Sequence, residues 1–221
     1  MKIVVISDTH EKHDLVKIPE GDILIHCGDW TNQGTLPSIE KFLEWFSKKP
    51  HQHKVFIPGN HELGLVNANK AQAFDLINRY VNDNLHFLLN SSVTIEGLKF
   101  YGSPATPFFF NWAFNYHRGK DIAVEWSKIP DDTNVLITHG PPYGILDMIE
   151  KTFSNMGRDL HQGCKDLLDR INQLKELKVH VYGHLHADGG ESVVVNGVTY
   201  ANAAICTERY FPSNPPVIID L

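Results

Sequence analysis

Five apolar segments of this chain each end at residues of the types that bind metal ions or take part in hydrolysis. The segments are short runs rich in Val, Ile and Leu, which are typical of strands buried on both faces of a parallel sheet. The groups that follow them are, in chain order, Asp8-Thr9-His10, Gly28-Asp29, Gly59-Asn60-His61-Glu62, Thr138-His139-Gly140 and Gly183-His184-Leu185-His186. Functional groups of parallel sheets collect beyond the carboxyl ends of the strands. We therefore expect all five groups to meet at one edge.

Two of these groups carry metal-binding side chains at positions i and i+2. They are the pairs Asp8 and His10, and His184 and His186. In extended chain, side chains at this spacing lie on the same face. Each pair is therefore predicted to bind from one side.

The spacing of apolar residues predicts an α/β (α+β) fold in which two mixed sheets lie face to face between outer helices. The strands that precede the five groups are expected at 2–7, 22–27, 54–58, 134–138 and 179–183. Helices are expected at 37–47, 68–81, 121–127 and 165–178. A second sheet is expected to begin near residue 85, hairpins are predicted at Glu96-Gly97 and Asn196-Gly197, and a last strand at 217–221.

Length and composition favour one domain that spans residues 1–221, because no linker or repeat divides the chain and any cut would separate the five groups. The three cysteines show no Cys-x-x-Cys spacing, so we expect no disulfide. No apolar run approaches the roughly 18 residues of a membrane span. The start of the chain lacks the features of a signal peptide. These features predict a cytoplasmic protein without a membrane partner.

The formal net charge of −6 disfavours long nucleic acid as a partner, because the chain has no basic stripe that would bind a polyanion. Bound metal ions would reverse the sign of the charge locally. A small phosphate ester is therefore the expected substrate. The sequence leaves the oligomeric state open.

A pair of divalent cations roughly 3.5–4 Å apart is one way to hydrolyse a phosphate ester, because it clamps the attacking and leaving oxygens and acidifies a bridging water. Two cations at this distance need a shared anionic ligand, and the solitary Asp29 after Gly28 fits that role. The other candidate ligands are His and Asp side chains and the amide oxygen of Asn60. Imidazole and oxygen ligands suit Mn, Fe and Zn alike; manganese is the favoured identity.

His61 directly follows Asn60, so its backbone lies beside the predicted site while its side chain points elsewhere. A histidine in that position is suited to protonating the departing alkoxide near neutral pH. A solvated turn histidine is the alternative. Glu62 is expected to orient the imidazole.

The ordered set Asp-x-His, Gly-Asp, Gly-Asn-His-Glu, His and Gly-His-x-His resembles the calcineurin-like metallophosphoesterase superfamily. Further segments resemble its metallophosphodiesterase-domain (brain-type) subgroup, whose members act on phosphodiesters that include cyclic nucleotides. These segments are 7–13, 102–107, 112–115, 138–142 and 163–164. The resemblance implies a four-layer αββα sandwich.

The resemblance also implies a ligand set and a catalytic acid. One metal would be held by Asp8, His10, Asp29 and His186. The other would be held by Asp29, Asn60, His139 and His184, and His61 would be the acid. Catalysis would thus depend on Asp29, Asn60 and His61, with a metal-bridging hydroxide as the nucleophile.

Contacts to the substrate are harder to predict from the sequence. Asn115 and Arg118 are candidates, and Arg158 and Arg209 are alternatives that spacing does not separate from Arg118. The aromatic residues between 108 and 116 are expected either to pack in the core or to stack on a nucleobase. Four histidines, His51, His53, His86 and His180, are expected at exposed turns or strand ends.

The sequence thus predicts a metal-dependent phosphoesterase with a preference for small phosphodiesters such as cyclic nucleotides. Two alternatives remain at this point. One is a phosphomonoesterase, and the other is a non-catalytic metal-binding interaction module on the same fold.

Overall fold

The computed structural model describes residues 1–149 and 159–221. Within these residues the strands are β1 (Lys2–Ile6), β2 (Ile23–His26), β3 (His53–Phe56), β4 (Leu85–Phe87), β5 (Ser91–Ile95), β6 (Leu98–Ser103), β7 (Thr106–Pro107), β8 (Asn115–Tyr116), β9 (Val135–Thr138), β10 (Val179–Tyr182), β11 (Glu191–Val195), β12 (Val198–Asn202) and β13 (Val217–Asp220). The α-helices are α1 (Leu36–Ser47), α2 (Lys70–Asn78), α3 (Lys120–Trp126) and α4 (Lys165–Ile171). Short 3₁₀ helices lie at His13–Leu15, Leu63–Leu65 and His186–Asp188.

The strands form two large mixed sheets and a two-stranded ribbon of β7 and β8. The first sheet has the order β13-β1-β2-β3-β4, in which β1 to β4 are parallel and β13 runs antiparallel to β1. The second has the order β11-β12-β10-β9-β6-β5, in which the four central strands are parallel. The hairpins predicted at Glu96-Gly97 and Asn196-Gly197 join β5 to β6 and β11 to β12.

The main core lies between the two sheets. Side chains from both inner faces are fully buried there, among them Ile3 and Ile25 from the first sheet and Phe100, Ile137 and Val181 from the second. Separate apolar clusters bury α1 and α2 against the outer face of the first sheet, and α3 and α4 against that of the second. The predicted αββα sandwich is confirmed.

Helix α1 shows how local sequence produces one of these outer layers. Thr35 caps its first turn by accepting a hydrogen bond from the Ser38 backbone N–H at 3.3 Å, and a proline lies in that turn. Ile39, Phe42, Leu43 and Phe46 recur at helical spacing, and all four are fully buried against the sheet. The amphipathic pattern thus fixes which face of α1 packs.

Helix α2 (Lys70–Asn78) is shorter at both ends than the predicted 68–81, and two further predictions differ from the structure. Helix α4 ends at Ile171 rather than at residue 178, because Leu174 donates a turn-type hydrogen bond to the Ile171 carbonyl at 3.0 Å. Leu174 and Leu177 still reach the core from these turns, so their apolar spacing imitated a longer helix. The segment near residue 85 also does not begin the second sheet. Strand β4 pairs with β3 in the first sheet. The connection between them contains α2 and is long enough for the crossover that two parallel strands require.

Within the described part of the chain, no helix has the length and apolar character needed to cross a bilayer.

The sequence predicted that His51 and His180 are exposed, and both are buried. His51 is held before β3, where its Nε2 lies 3.0 Å from the Pro19 carbonyl oxygen. His180 lies fully buried in the central strand β10. Both faces of β10 are covered, which explains the difference. The His180 imidazole shares a 2.8 Å hydrogen bond with the Thr138 hydroxyl, and the rings of Tyr182 and Tyr200 surround it. Burial lowers the pKa of His180 from 6.5 to about 3.

We expect this histidine to make the fold sensitive to acid. Unfolded chain takes up a proton on His180 below pH 6.5 while folded chain does not, so its contribution to stability is present above 6.5 and is lost as the pH falls toward 3. Between pH 7 and 5, the free energy of unfolding of metal-stripped protein should fall by about 2 kcal/mol more than that of His180→Gln. Urea unfolding at both pH values measures this, with the exposed His117→Gln as the control. Equal losses in all three proteins would contradict the prediction.

Candidate metal centre

The five groups predicted from the sequence meet at one end of the sandwich. Their loops follow β1, β2 and β3 of the first sheet and β9 and β10 of the second. An isolated parallel bridge between Ser7 and Ala204 connects the two sheets at this end. The side chains that were far apart in the sequence therefore converge where the parallel strands end, as expected.

Potential ligand atoms form three overlapping groups at this end, each with all its atoms within 4.8 Å of one another. The groups are Asp8 with His10 and His186, His10 with Asp29 and His61, and Asp29 with His139 and His184. The amide oxygen of Asn60 extends the third group, because it lies 2.9 Å from Nε2 of His139. All seven predicted ligands therefore belong to one continuous cluster.

Asp29 connects the two ends of this cluster. Its Oδ2 lies 3.2 Å from Nε2 of His139 and 4.0 Å from Nε2 of His10. Its Oδ1 accepts a hydrogen bond of 2.8 Å from the backbone N–H of His61, which fixes the carboxylate. A single carboxylate that faces both halves of the cluster has the placement that a bridging ligand needs.

The surroundings keep the two carboxylates charged. Burial alone would raise their pKa values, but the nearby histidines outweigh it, with His186 acting on Asp8 and His139 acting on Asp29. The pKa of each carboxyl therefore lies well below its ordinary range. The carboxylate of Asp8 also accepts a hydrogen bond from the His184 backbone N–H at 2.9 Å, which ties the β1 loop to the β10 loop.

His10 provides the test of whether a metal ion fits these residues. Its side chain is 1% exposed, and neither ring nitrogen has a hydrogen-bond partner among residues 1–149 and 159–221. Burial lowers the pKa of His10 to about 4, so the imidazole is neutral. An unpartnered buried nitrogen is costly, and a neutral imidazole beside two carboxylates is a common ligand for a divalent cation. The donor set fits a metal centre.

Backbone carbonyls orient two of the other histidines. Nδ1 of His139 lies 2.9 Å from the Cys27 carbonyl oxygen, and Nδ1 of His186 lies 3.0 Å from that of Thr207. A carbonyl can only accept, so each Nδ1 carries the proton and donates it. Nε2 is then directed to the cluster, an arrangement that is usual around protein-bound metals.

The loops that carry the candidate ligands contain residues with strained backbone conformations, which are typical of functional sites. Asp8, His10, Asp29 and His184 all have a left-handed backbone, with φ between 43° and 68°. Such conformations cost non-glycine residues of the order of 1–3 kcal/mol each and concentrate at functional sites. The extended geometry that the i and i+2 spacing suggested for Asp8 and His10 is therefore wrong, although both side chains still reach the cluster.

Gly183 shows why the motif before His184 needs a glycine. A Cβ at this position would overlap the carboxylate of Asp8 and the side chain of Ser7. The β10 loop can therefore approach the β1 loop only without a side chain here.

Glu62 does not orient His61, as the sequence suggested, but holds the loops that carry the ligands. Its buried carboxylate accepts hydrogen bonds from the backbone N–H groups of Asp29, Thr31 and Gly59 and from the Thr31 hydroxyl, at 2.6–3.0 Å. Burial raises the pKa of Glu62, the charge of Asp29 raises it further, and the hydrogen bonds from Gly59 and Thr31 act in the opposite direction.

His61 is oriented instead by two groups that the sequence did not indicate. Its Nδ1 lies 2.8 Å from the backbone carbonyl oxygen of Asn32, and its ring stacks on Trp112 with 4.1 Å between ring centroids. Nε2 lies 3.9 Å from Oδ2 of Asp29, at the middle of the cluster. No spacing rule marks a backbone carbonyl or a ring 51 positions away in the chain.

Residues 1–188 match the family model "Calcineurin-like phosphoesterase". This match spans most of the chain and includes all five ligand groups. The chain belongs to the calcineurin-like phosphoesterase family. The resemblance seen in the sequence is thereby confirmed, and membership supports a phosphoester hydrolase that binds divalent metal ions.

Curated relatives agree with this family. The chain is 36% identical over 239 residues to metallophosphoesterase domain-containing protein 1 of Homo sapiens, an alignment that covers 100% of this chain and 71% of the relative. It is 37% identical over 235 residues to a UPF0046 protein of Caenorhabditis elegans, covering 100% and 81%. A solved crystal structure with 18% identity superimposes with a TM-score of 0.64 and covers 91% of this chain and 89% of its own. That likeness concerns the fold.

A cavity of about 720 Å³ opens over the centre of this phosphoesterase. Asp29, Asn60, His61, His184 and His186 lie on its floor side, and an aromatic wall contributes Phe108, Phe109, Phe110, Trp112 and Tyr210. Tyr210 meets the ring of His10 edge-on at 4.7 Å. The sequence did not indicate Tyr210, because it lies in a loop without a motif.

The predicted substrate contacts fare differently from the ligands. Arg118 lines the cavity, but its Nη1 and Nη2 donate hydrogen bonds to the carbonyls of Gly163 and Gln162 at 2.7 and 2.8 Å. Asn115 does not line this cavity, and its amide donates a hydrogen bond to the Phe109 carbonyl at 2.9 Å. Arg209 is exposed, and Arg158 lies outside the described residues. We therefore assign Asn115 to the loop rather than to the substrate, while the phosphate contact of Arg118 stays a prediction.

Proposed function

We propose that this protein is a two-metal phosphodiesterase that hydrolyses small phosphodiesters, including cyclic nucleotides, with His61 as the general acid. The observation that carries the proposal is the position of Asp29. Its carboxylate faces both halves of a seven-ligand cluster, and Nε2 of His61 points to the same oxygen atom. A proton donor and a metal-bridging carboxylate are thus adjacent at the floor of one cavity.

The ligands divide into two sets that share Asp29. Asp8, His10 and His186 would complete one set, and Asn60, His139 and His184 would complete the other. Imidazole nitrogens together with ionised carboxylates suit manganese, iron or zinc, and we favour manganese. When bound, two such ions neutralise charge on the phosphate and supply a hydrolytic water that is acidic enough to react at neutral pH.

His61 supplies what the metals do not, which is a proton for the leaving alcohol. Its Nδ1 proton is committed to the Asn32 carbonyl at 2.8 Å, so the proton that leaves must be on Nε2. Nε2 faces the cluster, and the side chain is only 13% exposed. Proton donation of this kind typically contributes about 10²–10⁴-fold to the rate.

The size and lining of the cavity support a diester rather than a monoester. A volume of about 720 Å³ exceeds what a bare phosphate group needs, and the aromatic wall favours organic groups over water. A diester places an organic group on both sides of phosphorus. The net charge of −6 disfavours long nucleic acid among diesters.

The test uses protein freed of metal with a chelator, then assayed with and without Mn²⁺. We expect metal-dependent turnover of bis-p-nitrophenyl phosphate and of a cyclic nucleotide, with slower turnover of p-nitrophenyl phosphate. Faster monoester hydrolysis would overturn the diester assignment. Metal uptake without turnover of any of these esters would indicate a non-catalytic metal-binding module.

Replacing His61 with alanine should lower kcat for the cyclic nucleotide by about 10²-fold or more, because its leaving sugar hydroxyl needs a proton. The loss on bis-p-nitrophenyl phosphate should be smaller, since nitrophenolate leaves without one. His53→Ala, at the opposite end of β3, is the matched control and should keep the wild-type rates. An equal loss on both substrates would contradict the role of His61 as an acid.

A further inference from the structure

Trp112 packs face to face on the imidazole of His61. The ring centroids are 4.1 Å apart and the ring planes differ by 28°. We propose that Trp112 is a positioning residue, which holds His61 in the orientation that directs Nε2 to the metal centre. This inference rests on the proposed role of His61 as the general acid and adds the group that aims it.

His61 needs such support because its ring makes one hydrogen bond within the described part of the chain, and that bond does not fix the ring. The contact from Nδ1 to the Asn32 carbonyl selects the nitrogen that carries the proton only while the ring keeps this rotamer. Rotation about the side-chain torsions would break that contact and release the tautomer. The indole of Trp112 covers a face of the imidazole, and His10 meets it edge-on at 4.7 Å. Rotation of the ring would require one of these contacts to open.

The backbone places Trp112 relative to the ligand loop itself. The N–H of Ala113, the next residue, donates a 3.1 Å hydrogen bond to the carbonyl of Asn60, which precedes His61. The stacked rings of Trp112 and His61 therefore belong to two backbone segments that are joined by a hydrogen bond. A shift of one segment would carry the other with it.

Asn115 completes this placement. Its side-chain amide donates hydrogen bonds to the carbonyls of Phe109 and Phe110 at 2.9 and 3.3 Å, and its oxygen accepts one from the Thr106 hydroxyl at 3.0 Å. These bonds close the loop that presents Trp112. They also explain why an asparagine lies three residues after the tryptophan.

A purely structural role for Trp112 does not account for its position. Trp30 and Trp126 are fully buried in the apolar clusters under the helices, where filling space is sufficient reason for a large ring. Trp112 belongs to none of the three clusters of the described residues, and it lines the cavity. Its main aromatic contact is the proposed acid.

Trp112→Ala should therefore damage proton donation more than binding. We expect kcat for a cyclic nucleotide to fall about 10-fold or more, a part of the 10²–10⁴-fold that a general acid contributes. The kcat for bis-p-nitrophenyl phosphate, which needs no proton donor, should fall less than about twofold on the same reasoning. Trp112→Phe keeps a flat ring and should restore most of the loss. Trp45→Ala, which removes a tryptophan from α1 outside the cavity, is the control.

A second measurement reports on the ring directly and needs neither metal nor substrate. In the metal-free protein, at a fixed pH that is high enough for the imidazole to be neutral, the ¹⁵N NMR signals of His61 should show one tautomer with the proton on Nδ1. The carbon-bound protons of its ring should be shifted by the indole. In Trp112→Ala we expect averaged tautomer signals while the remaining spectrum stays that of the folded protein. Trp112→Phe should resemble the wild type.

Equal losses on both substrates in Trp112→Ala, with unchanged His61 signals, would overturn the proposal and make Trp112 a wall of the cavity. Failure of the proposed function has a different signature. In that case His61→Ala itself shows no dependence on the leaving group, and the NMR comparison alone decides whether Trp112 holds the ring.

Discussion

An Asp29→Asn variant is expected to bind fewer than two metal ions per chain and to lose phosphoester hydrolysis by about 10³-fold or more. The substitution keeps the shape of the side chain, and its oxygen can still accept the hydrogen bond from the His61 backbone N–H. The second oxygen, however, is replaced by an amide nitrogen that faces His10 and His139. An amide N–H₂ cannot bind a cation, so neither half of the cluster keeps its shared anion.

The expected loss of activity follows from the charge stabilisation that the metal ions would supply. Metal ions supply several kcal/mol of charge stabilisation in such reactions, and each 1.4 kcal/mol corresponds to about a tenfold change in rate. Metal content after dialysis against Mn²⁺, measured by elemental analysis, gives a readout that is independent of turnover. Asp83→Asn, an exposed carboxylate in the loop before β4, should bind as many ions as the wild type. Two ions in Asp29→Asn would show that another residue bridges them.

The convergence of the candidate ligands could be predicted from the sequence because each one lies one to four residues beyond the end of a strand. Asp8, Asp29, Asn60, His139 and His184 are placed by the ends of β1, β2, β3, β9 and β10, and parallel strands end at a common edge. Their position therefore depends on short apolar runs, which can be recognised in the sequence as strands. The four-layer architecture follows from the same runs and from the amphipathic helices between them.

The residues that support the centre could not be predicted in this way. Trp112 and Tyr210 lie in loops, and their contacts with His61 and His10 depend on how distant segments pack. The Asn32 carbonyl acts through the backbone, so its side chain gives no signal. His180 looked like a strand-end histidine because nothing in its neighbourhood reveals that both faces of β10 are covered. Tertiary packing, rather than residue type, decides these roles.

Glu62 is the clearest case, since its position beside His61 suggested the wrong partner. Its carboxylate instead joins the loops after β2 and β3, both of which carry candidate metal ligands. Each oxygen accepts two hydrogen bonds: Oε1 from the backbone and hydroxyl of Thr31, and Oε2 from the backbone N–H groups of Asp29 and Gly59. The Thr31 hydroxyl in turn accepts from the Gly34 N–H at 2.9 Å, which extends the network.

Glu62→Gln should therefore destabilise the fold although it is nearly isosteric. A glutamine has one acceptor oxygen, so in either orientation its N–H₂ group faces at least one buried backbone N–H. A buried donor left without a partner costs about 1–3 kcal/mol, and two donors are lost if the amide nitrogen takes the place of Oε2. We expect a loss of about 2–4 kcal/mol, which for a domain of this size lowers Tm by about 4–16 °C.

Thermal unfolding of metal-stripped Glu62→Gln measures this loss without a contribution from bound ions. Glu44→Gln, on the exposed face of α1, makes the same chemical change outside the network and should unfold like the wild type. Because Asp29 and Gly59 lose their anchor, the same variant should also bind Mn²⁺ more weakly than the wild type does. Wild-type stability together with weakened metal binding would show that Glu62 acts on the centre only through its charge and does not hold the loops. If Glu62 holds the loops that carry the candidate ligands, its replacement should lower both the stability and the Mn²⁺ affinity.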